Sequence, residues 1–287
     1  MVRNAQRHSP SVTAMAKYNK LAGKHIVVIG GTRGIGRGVV EASLESGARV
    51  TLAGSSQRSA DKAVESIKAE YTNININTEH LLGLGCDLSS QETTESALDA
   101  LLTKAATLNG EIDHVVYTAA DSLSLGNLQD VTPEVALKAA HMRFLVPILV
   151  GKVVERHLRG KKVRGGGGGG DKSLILTTGS IASKPTPGWS VIAYFAGGIK
   201  ALVRNLALDL SPVRVNAVEP GIVNTGLWDP GYASLEEREA GLMKMAADLP
   251  VGKPGAVEEV VEAYMYLLRD ANATGETVQT RGGQHLV

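Results

Sequence analysis

The stretch HIVVIGGTRGIG, residues 25–36, is an apolar run of strand length that passes directly into a glycine-rich turn. Apolar residues at helical spacing follow over residues 37–46, so the turn joins a strand to a helix. Glycine lets the backbone turn tightly and approach a pyrophosphate, whose charge meets the free N–H groups and positive dipole of the helix N-terminus. The stretch therefore predicts a dinucleotide-binding turn, and the alternative is an ordinary tight turn.

The same alternation of strand and helix repeats along the chain. Further β-branched runs occupy residues 49–53, 81–84, 114–118, 173–178 and 213–218. Longer segments with helical spacing lie at residues 59–71, 91–106, 133–158 and 197–210. Such alternation implies parallel strands joined by right-handed crossovers. We therefore predict an α/β fold, a single-domain doubly wound parallel sheet of the Rossmann type, with its ligand beyond the carboxyl ends of the strands.

Composition and charge exclude several classes of protein. Hydrophobic residues make up 43% of the 287 residues and charged residues 21%, which supplies a large core and excludes wholesale disorder. The formal net charge of +1 gives no field that would gather nucleic acid or anionic lipid. The single cysteine, Cys86, cannot form an internal disulfide, and the seven histidines include no pair at metalloprotease spacing. These features predict a metal-free cytoplasmic protein that binds neither nucleic acid nor membrane.

Two segments fall outside the alternating pattern. Residues 1–20 are basic and polar without the apolar run of a signal peptide, and we interpret them as a flexible leader. The run RGKKVRGGGGGGDK, residues 159–172, combines charge with six consecutive glycines and predicts a surface loop within one domain over residues 21–287. No stretch contains the roughly 18 consecutive apolar residues expected of a membrane-spanning helix.

The residues after the second predicted strand indicate which nicotinamide cofactor fits. A dinucleotide fold that prefers NAD usually places an acid on the ribose about 20 residues after the glycine turn. This chain instead has small hydroxyls at Ser55 and Ser56 and a guanidinium at Arg58, with Arg33 inside the glycine turn. Guanidinium binds phosphate through a bidentate fork, so the pattern favours NADP(H) over NAD(H). Two solvated surface arginines are the alternative.

Several motifs resemble those of the short-chain dehydrogenase/reductase family over residues 21–287. They are the glycine turn, Cys86-Asp87-Leu88, Thr118-Ala119-Ala120, the run NAVEPGIVNT at residues 216–225, Thr274-Gly275 and Gly282-Gly283. The resemblance implies that Asp87 faces the adenine, that Ala119 and Ala120 face the adenosine ribose, and that Val223 and Thr225 face the nicotinamide amide and a phosphate. The cofactor-binding residues that it implies are Gly30, Thr32, Arg33, Gly34, Ile35, Gly36, Asp87, Leu88, Ala119, Ala120, Pro220, Gly221, Val223 and Thr225.

Members of this family reduce carbonyls with an Asn, a Ser, a Tyr and a Lys four residues after the Tyr, and the phenol protonates the carbonyl oxygen. Ser180, at the end of the fifth predicted strand, occupies the serine position. Tyr194 does not fit, because Gly198 follows it four residues later and Lys200 follows it six residues later. On a helix six residues correspond to a rotation of about 240°, so Tyr194 and Lys200 diverge.

An ungapped register places apolar residues in the Tyr and Lys positions. The segments Pro187-Gly188 and Arg204-Asn205 resemble the family's flanking segments, and both put Ile192 at the Tyr position and Ala196 at the Lys position. Tyr194 then lies about 200° around the helix from Ile192 and points away from the nicotinamide. The usual phenol and ammonium are therefore predicted to be missing from the catalytic end.

Arg143 stands where the family has its Asn, in the run MRFLVP at residues 142–147. A permanent cation would project toward the active-site floor, and the alternative is a structural arginine that caps carbonyls or pairs with a neighbouring acid. Loss of the phenol restricts the acceptor, because a ketone reduced to an alkoxide needs a proton whereas hydride alone neutralises an iminium. Arg143 and Ser180 are the predicted catalytic residues.

These altered positions resemble the divergent fungal branch of the family, which includes NADPH-dependent alkaloid-pathway reductases that couple iminium reduction to a Diels–Alder cyclisation. Thr186 stands where that branch has an acid associated with cyclisation, and Trp189 is either a flat wall for a polycyclic substrate or a core aromatic. Residues 226–250, including Trp228, correspond to the family's substrate lid, whose apolar residues favour a hydrophobic substrate. Thr186, Trp189 and Trp228 are the predicted substrate residues.

The sequence therefore predicts an atypical NADP(H)-dependent oxidoreductase of secondary metabolism that transfers hydride to a hydrophobic iminium or activated carbonyl. The alternatives are a redox-neutral, Diels–Alderase-like cyclase and a noncatalytic NADP(H)-binding protein on the same fold. The family resemblance also implies a homodimer or homotetramer. The long helices over residues 133–158 and 197–210 are its candidate interface, or equally a buried layer.

Overall fold

The computed structural model describes residues 17–74, 76–159 and 171–287, in which seven strands form one sheet. The strands are β1 (His25–Ile29), β2 (Arg49–Gly54), β3 (Leu81–Gly85), β4 (His114–Tyr117), β5 (Ser173–Thr177), β6 (Arg214–Pro220) and β7 (Thr277–Thr280). Their order across the sheet is β3-β2-β1-β4-β5-β6-β7, and every pairing is parallel. The direction of winding reverses between β1 and β4, so the predicted doubly wound sheet is confirmed.

The described part of the chain contains eight α-helices. They are α1 (Gly34–Glu45), α2 (Gln57–Glu70), α3 (Thr94–Asn109), α4 (Pro133–Ala140), α5 (Val146–Leu158), α6 (Ser190–Asp209), α7 (Leu235–Met245) and α8 (Val257–Arg269). A π-helical turn, His141–Leu145, joins α4 to α5, so the helix predicted over residues 133–158 is widened in its middle. Helix α6 begins at Ser190 rather than at residue 197.

Side chains of each strand alternate between two hydrophobic layers. Along β1, Val27 and Ile29 belong to the layer under α3, α5 and α6. Ile26 and Val28 belong to the layer under α1, α2 and α8. Helices therefore cover both faces of the sheet, and the carboxyl ends of the strands remain as the place for a ligand.

Buried histidines lie at the opposite, amino ends of the strands. The ring of His25 is hydrogen-bonded to the Gly110 carbonyl and to Thr51 Oγ1, each at 2.8 Å. His114 Nδ1 lies 2.9 Å from Ser173 Oγ. Burial lowers the pKa of His25 and lowers the pKa of His114 to about 3, because a charged imidazolium would lose its hydration there. Both rings are therefore neutral at physiological pH.

The predicted leader over residues 1–20 and the predicted surface loop over residues 159–172 lie largely outside the described residues. Among the residues that are described, helix α6 is long and apolar enough to cross a membrane by length and composition alone. Its residues Ile199 and Val203 belong to the core layer beside the sheet, and this contact accounts for the apolar composition of that face.

The neutral His114 ring makes the fold sensitive to acid. Its pKa in the folded state is about 3, below the value of about 6.5 in an unfolded chain, so the unfolded state binds a proton first as the pH falls. We expect the His114 site to remove about 2 kcal/mol from the free energy of unfolding between pH 7 and pH 5. Urea denaturation at both pH values measures this loss.

The variant His114→Gln should lose less stability than the wild-type protein over the same pH interval. The control is His80→Gln, which changes an exposed histidine and should leave the pH dependence as in the wild type. An unchanged pH dependence in His114→Gln would contradict the prediction.

Candidate active site

One pocket of about 780 Å³ lies at the carboxyl ends of the strands. Its described walls come from the turns that follow β1, β2, β3 and β4, from the segments after β5 and β6, and from α6. Because the sheet reverses its winding between β1 and β4, the turns after these strands diverge and leave a crevice between them. The pocket therefore lies where an open α/β sheet binds its ligand.

The glycine turn after β1 is built by two close backbone approaches. Gly30 has a φ angle of +91°, and a Cβ atom there would lie 2.5 Å from the Ala119 backbone nitrogen. A Cβ atom on Gly36 would lie 2.2 Å from the Gly30 carbonyl oxygen and 2.4 Å from Thr118 Oγ1. Both positions therefore exclude any larger residue, and the space that remains above the turn fits the pyrophosphate of a dinucleotide.

The N-terminus of α1 points its free donors at this turn. Helix α1 begins at Gly34, and its N-cap residue, Arg33, makes no side-chain capping hydrogen bond. The first backbone N–H groups of the helix are therefore available to an anion. Arg33 lines the pocket, is exposed, and has no ion-pair partner among the described residues.

The segment after β2 contributes less to the pocket than its sequence predicts. Ser55 lines the pocket, whereas Ser56 and Arg58 do not line its described walls. Ser56 caps α2 by accepting a hydrogen bond from the Ser59 N–H at 3.2 Å. Arg58 lies in the first turn of α2 with an exposed side chain and no ion-pair partner in residues 17–74, 76–159 and 171–287.

The structure brings the other predicted cofactor residues together at the pocket. The Ser89 N–H donates to the Asp87 carboxylate at 2.9 Å and holds the pKa of that carboxyl below its ordinary value. The predicted cofactor residues that line the pocket are Gly30, Thr32, Arg33, Gly34, Ile35, Gly36, Ser55, Asp87, Leu88, Ala119, Ala120, Pro220, Gly221, Val223 and Thr225.

Apolar side chains occupy the wall where the family resemblance leads one to expect a Tyr and a Lys. Ile192 and Ala196, one turn apart on α6, are buried and line the pocket. Tyr194 does not line it, because its side chain points into solvent with 76% exposed and contacts the edge of the Phe195 ring. Ser180 is buried, lines the pocket, and its hydroxyl makes no hydrogen bond with any described residue. Ser180 is therefore available to a ligand.

Lys200 is used in a buried ionic cluster behind the pocket. Its ammonium donates to Glu219 Oε2 at 2.7 Å and to Ser183 Oγ at 2.9 Å. Glu219 is fully buried at the end of β6, and its other oxygen accepts from Arg281 Nη1 at 2.6 Å. Neither Lys200 nor Arg281 lines the pocket. The lysine nearest to Tyr194 in sequence therefore stabilises the fold behind the site.

Arg143 lies on the π-helical turn and lines the pocket. Nη1 forms an ion pair with Asp121 Oδ1, and Nη2 donates to the carbonyl oxygens of Asp121 at 3.0 Å and Ser122 at 3.3 Å. Burial lowers the pKa of Arg143, because the guanidinium is removed from water. The structure thus combines both sequence interpretations, since Arg143 reaches the site and also pairs with a neighbouring acid.

Neighbours of Arg143 on the same turn contact two other parts of the pocket. His141 Nε2 lies 2.6 Å from the carbonyl oxygen of Leu88, in the segment after β3. The Tyr117 hydroxyl, at the end of β4, donates to the Met142 carbonyl oxygen at 3.2 Å. The π turn thus contacts the segment after β3 through His141 and the end of β4 through Met142.

Two tryptophans form an aromatic wall of the pocket. The ring centroids of Trp189 and Trp228 lie 6.1 Å apart with the planes tilted by 55°, and both rings line the pocket together with Thr186. Trp228 Nε1 donates to the Val223 carbonyl oxygen at 3.0 Å, which fixes the start of the predicted lid segment. The two indole rings give this part of the pocket an aromatic, largely apolar surface.

Sequence reasoning missed several wall residues. Asp121 directly follows the recognised Thr118-Ala119-Ala120 motif, and this adjacency was the signal that could have found it. Gln284, near the C-terminus, lines the pocket with a buried Oε1 that has no hydrogen-bond partner in the described chain. No motif marked Gln284, because only the packing of the C-terminal segment brings it to the pocket.

Comparison with known proteins finds a family and close fungal relatives. A family model described as an SDR-like Rossmann domain matches residues 17–287. The short-chain dehydrogenase/reductase fsr5 of Gibberella fujikuroi is 35% identical over 278 residues, which cover 95% of this chain and 98% of the relative. The short-chain dehydrogenase/reductase malC of Malbranchea aurantiaca is 36% identical over 267 residues, which cover 93% and 96% of the two chains.

A solved structure extends this likeness to three dimensions. The MalC reductase/Diels–Alderase from Malbranchea aurantiaca matches the present structure with a TM-score of 0.82 at 34% sequence identity. The match covers 94% of this chain and 99% of that chain. The likeness therefore spans the whole architecture, from the glycine turn to the C-terminal strand.

The buried cluster around Glu219 predicts a large loss of stability in Glu219→Gln. The substitution leaves the Arg281 guanidinium, only 6% exposed, without its anionic partner. We expect the free energy of unfolding to fall by about 3 kcal/mol, because a buried charge is left uncompensated. Urea denaturation measures it, with Glu65→Gln on the exposed side of α2 as the control. Equal stabilities of Glu219→Gln and the control would refute this role of the cluster.

Proposed function

Because this chain belongs to the short-chain dehydrogenase/reductase family and is thus an oxidoreductase by family, we propose that it transfers hydride from NADPH to a hydrophobic iminium ion or activated carbonyl. The observation that carries the proposal is the apolar wall at Ile192 and Ala196, beside an intact glycine cradle. A site with this wall binds the nucleotide, but α6 offers no phenol to a ketone oxygen, and the Tyr117 phenol already donates to the Met142 carbonyl oxygen.

The choice of cofactor rests on the pocket's nucleotide end. Short-chain dehydrogenases/reductases use NAD(P)(H), and the space that Gly30 and Gly36 keep open fits a pyrophosphate. The exposed guanidinium of Arg33, which has no ion-pair partner among the described residues, suits a 2′-phosphate. Ser55 stands nearby where an NAD enzyme usually has an acid, and Arg58 at the N-terminus of α2 is the second candidate. We therefore assign NADP(H) rather than NAD(H).

The substrate end limits which acceptors can react. When bound, NADPH supplies the hydride, and an iminium carbon needs no proton to become an amine. Ser180 offers a hydroxyl for orientation, while the Ile192 and Ala196 side chains exclude water and cannot donate a proton. An alkoxide formed from an ordinary ketone would find no comparable acid at this wall. Orientation in a dry pocket is then the main contribution of this chain to the rate.

A redox-neutral cyclisation is the second candidate function. The aromatic wall formed by Trp189 and Trp228, and the likeness to a reductase/Diels–Alderase, both favour a site that folds a polycyclic substrate. Thr186, which has no charge, stands in place of the acid associated with cyclisation in that branch, so we rank hydride transfer first. The fungal relatives support a place in secondary metabolism.

The proposal includes a cytoplasmic homodimer or homotetramer. Apolar side chains are exposed on α4 and α6, and Leu137, Tyr194 and Leu208 are 67%, 76% and 78% exposed. Such side chains favour burial against a second copy. Sedimentation equilibrium measures the mass directly.

The rates of reduction of an iminium ion and of a ketone separate these functions. We expect the protein to oxidise NADPH in the presence of a cyclic iminium ion and at least about 100-fold more slowly with a ketone of the same ring skeleton, since only the ketone needs an acid. Loss of NADPH absorbance measures both rates. The variant Tyr194→Phe should keep the iminium rate within about twofold, because the side chain lies outside the pocket walls.

Three results would go against hydride transfer as proposed. Equal rates for iminium and ketone would indicate a conventional proton donor. A large loss of the rate of iminium reduction in Tyr194→Phe would indicate that the phenol reaches the site. Product formation at the same rate without a reducible cofactor would favour the cyclase.

The variant Arg33→Ala tests the cofactor assignment. We expect the dissociation constant of NADPH to rise by about tenfold, while that of NADH changes by no more than about twofold, because only NADPH carries the 2′-phosphate. Fluorescence titration of the reduced nicotinamide measures both constants. Arg204→Ala, which removes an exposed arginine from α6, is the control. Equal weakening of both cofactors by Arg33→Ala would contradict the assignment.

A further inference from the structure

We infer that Asp121 is a specificity-determining residue that makes the pocket select substrates with a cationic nitrogen. The inference rests on the proposed function, because it assigns the charge of the acceptor in the same pocket. Asp121 belongs to none of the recognised motifs. Its carboxylate favours the iminium ion over the activated carbonyl as the acceptor. The chemical class it predicts is an iminium ion held within an apolar ring system.

The pocket has few charged groups, and they are divided between its two ends. Among the described wall residues, four are charged: Arg33, Asp87, Asp121 and Arg143. Arg33 and Asp87 belong to the nucleotide end, in the turns after β1 and β3. Asp121 and Arg143 are the two charged residues left for the substrate end. Any selection of substrate by charge must therefore come from this pair.

Arg143 is already engaged by protein acceptors. Nη1 pairs with Asp121 Oδ1, and Nη2 donates to the carbonyl oxygens of Asp121 and Ser122. Only 13% of its side chain is exposed. A guanidinium held in this way loses three acceptors if it turns to a substrate oxygen. Arg143 is therefore poorly suited to stabilise an oxyanion.

Asp121 keeps one carboxylate oxygen available to a ligand, whereas the guanidinium of Arg143 is already engaged. Its Oδ2 atom accepts no hydrogen bond from any described residue, and 30% of the side chain is exposed although the residue lines the pocket. The guanidinium contacts Oδ1 and the two neighbouring carbonyl oxygens, so Oδ2 is the acceptor of this corner that no described donor satisfies. A substrate cation meets attraction there, and an oxyanion meets repulsion, in a pocket where low dielectric strengthens both.

The chain contains its own reporter of pocket occupancy. Its only two tryptophans, Trp189 and Trp228, both line the pocket. A ligand that enters the substrate end changes their fluorescence, so binding is measured without turnover. Saturating tetrahydro-NADPH, whose ring is uncharged like that of NADPH but cannot donate hydride, keeps the nucleotide end occupied during the titration.

The test compares a cation with a neutral molecule of the same shape. The cation is N-methyl-3,4-dihydroisoquinolinium, and its carbon isostere is 3-methyl-1,2-dihydronaphthalene. We expect the wild-type protein to bind the cation at least about tenfold more tightly than the isostere. In Asp121→Asn this preference should fall to about twofold or less, with the isostere's dissociation constant changed by no more than about twofold. Asp130→Asn, an exposed acid outside the pocket walls, should bind as the wild type does.

A second variant covers the possibility that Asp121→Asn fails to fold. Arg143→Gln removes the internal cation and keeps the carboxylate, so it should increase the preference for the cation. Thermal denaturation of each variant checks that it is folded. The inference would be overturned if Asp121→Asn kept the full preference for the cation or if Arg143→Gln lost it. Tighter binding of the isostere than of the cation by the wild-type protein would also overturn it.

Failure of the inference and failure of the proposed function give different results. If NADPH is oxidised with an iminium but the charge preference survives in Asp121→Asn, the role of Asp121 is wrong and hydride transfer stands. If the wild type prefers the cation and Asp121→Asn does not, yet no NADPH is consumed, the role of Asp121 stands and the proposed reaction is wrong.

Discussion

The site depends on the close approach of two backbone segments at the carboxyl ends of β1 and β4. Gly30 lies against the backbone of Ala119, and Gly36 lies against the Gly30 carbonyl, so a methyl group at either position would collide with main-chain atoms. The Thr118 hydroxyl donates to the carbonyl oxygens of Ile29 and Gly30 and ties β4 to the same turn. This contact lies between β1 and β4, where the winding of the sheet reverses and the crevice opens.

The sequence predicted most of the architecture because buried parallel strands appear as short β-branched runs. It did not predict α8 or β7, although α8 buries one side with Val261, Tyr264 and Leu268. The glycine cradle followed from local spacing, whereas the outward position of Tyr194 followed from helical spacing together with the family's flanking motifs. The ion pair of Asp121 with Arg143 is a contact between segments 22 residues apart, which no local pattern encodes. Contacts of this kind, rather than motifs, decide the charge of the substrate end.

At the catalytic end, the side of α6 that faces the pocket carries aliphatic side chains instead of acid–base groups. Ile192 and Ala196 place aliphatic surface where the family expects a phenol and an ammonium. The nearest ammonium on α6, that of Lys200, instead compensates the buried carboxylate of Glu219. An uncompensated carboxylate at this depth would be expensive, so the lysine cannot be released to the pocket without loss of stability. The ammonium of Lys200 on α6 therefore stabilises the fold and takes no part in acid–base chemistry at the pocket.

The π turn connects parts of the site that are distant in sequence. Its successive residues His141, Met142 and Arg143 contact the segment after β3, the end of β4 and the segment after β4. These three residues follow one another in a single helical turn. The Leu88 segment on the nucleotide side and the Arg143 guanidinium are therefore held by neighbouring residues of the chain. An insertion or deletion within this turn would displace contacts on both sides of the pocket together.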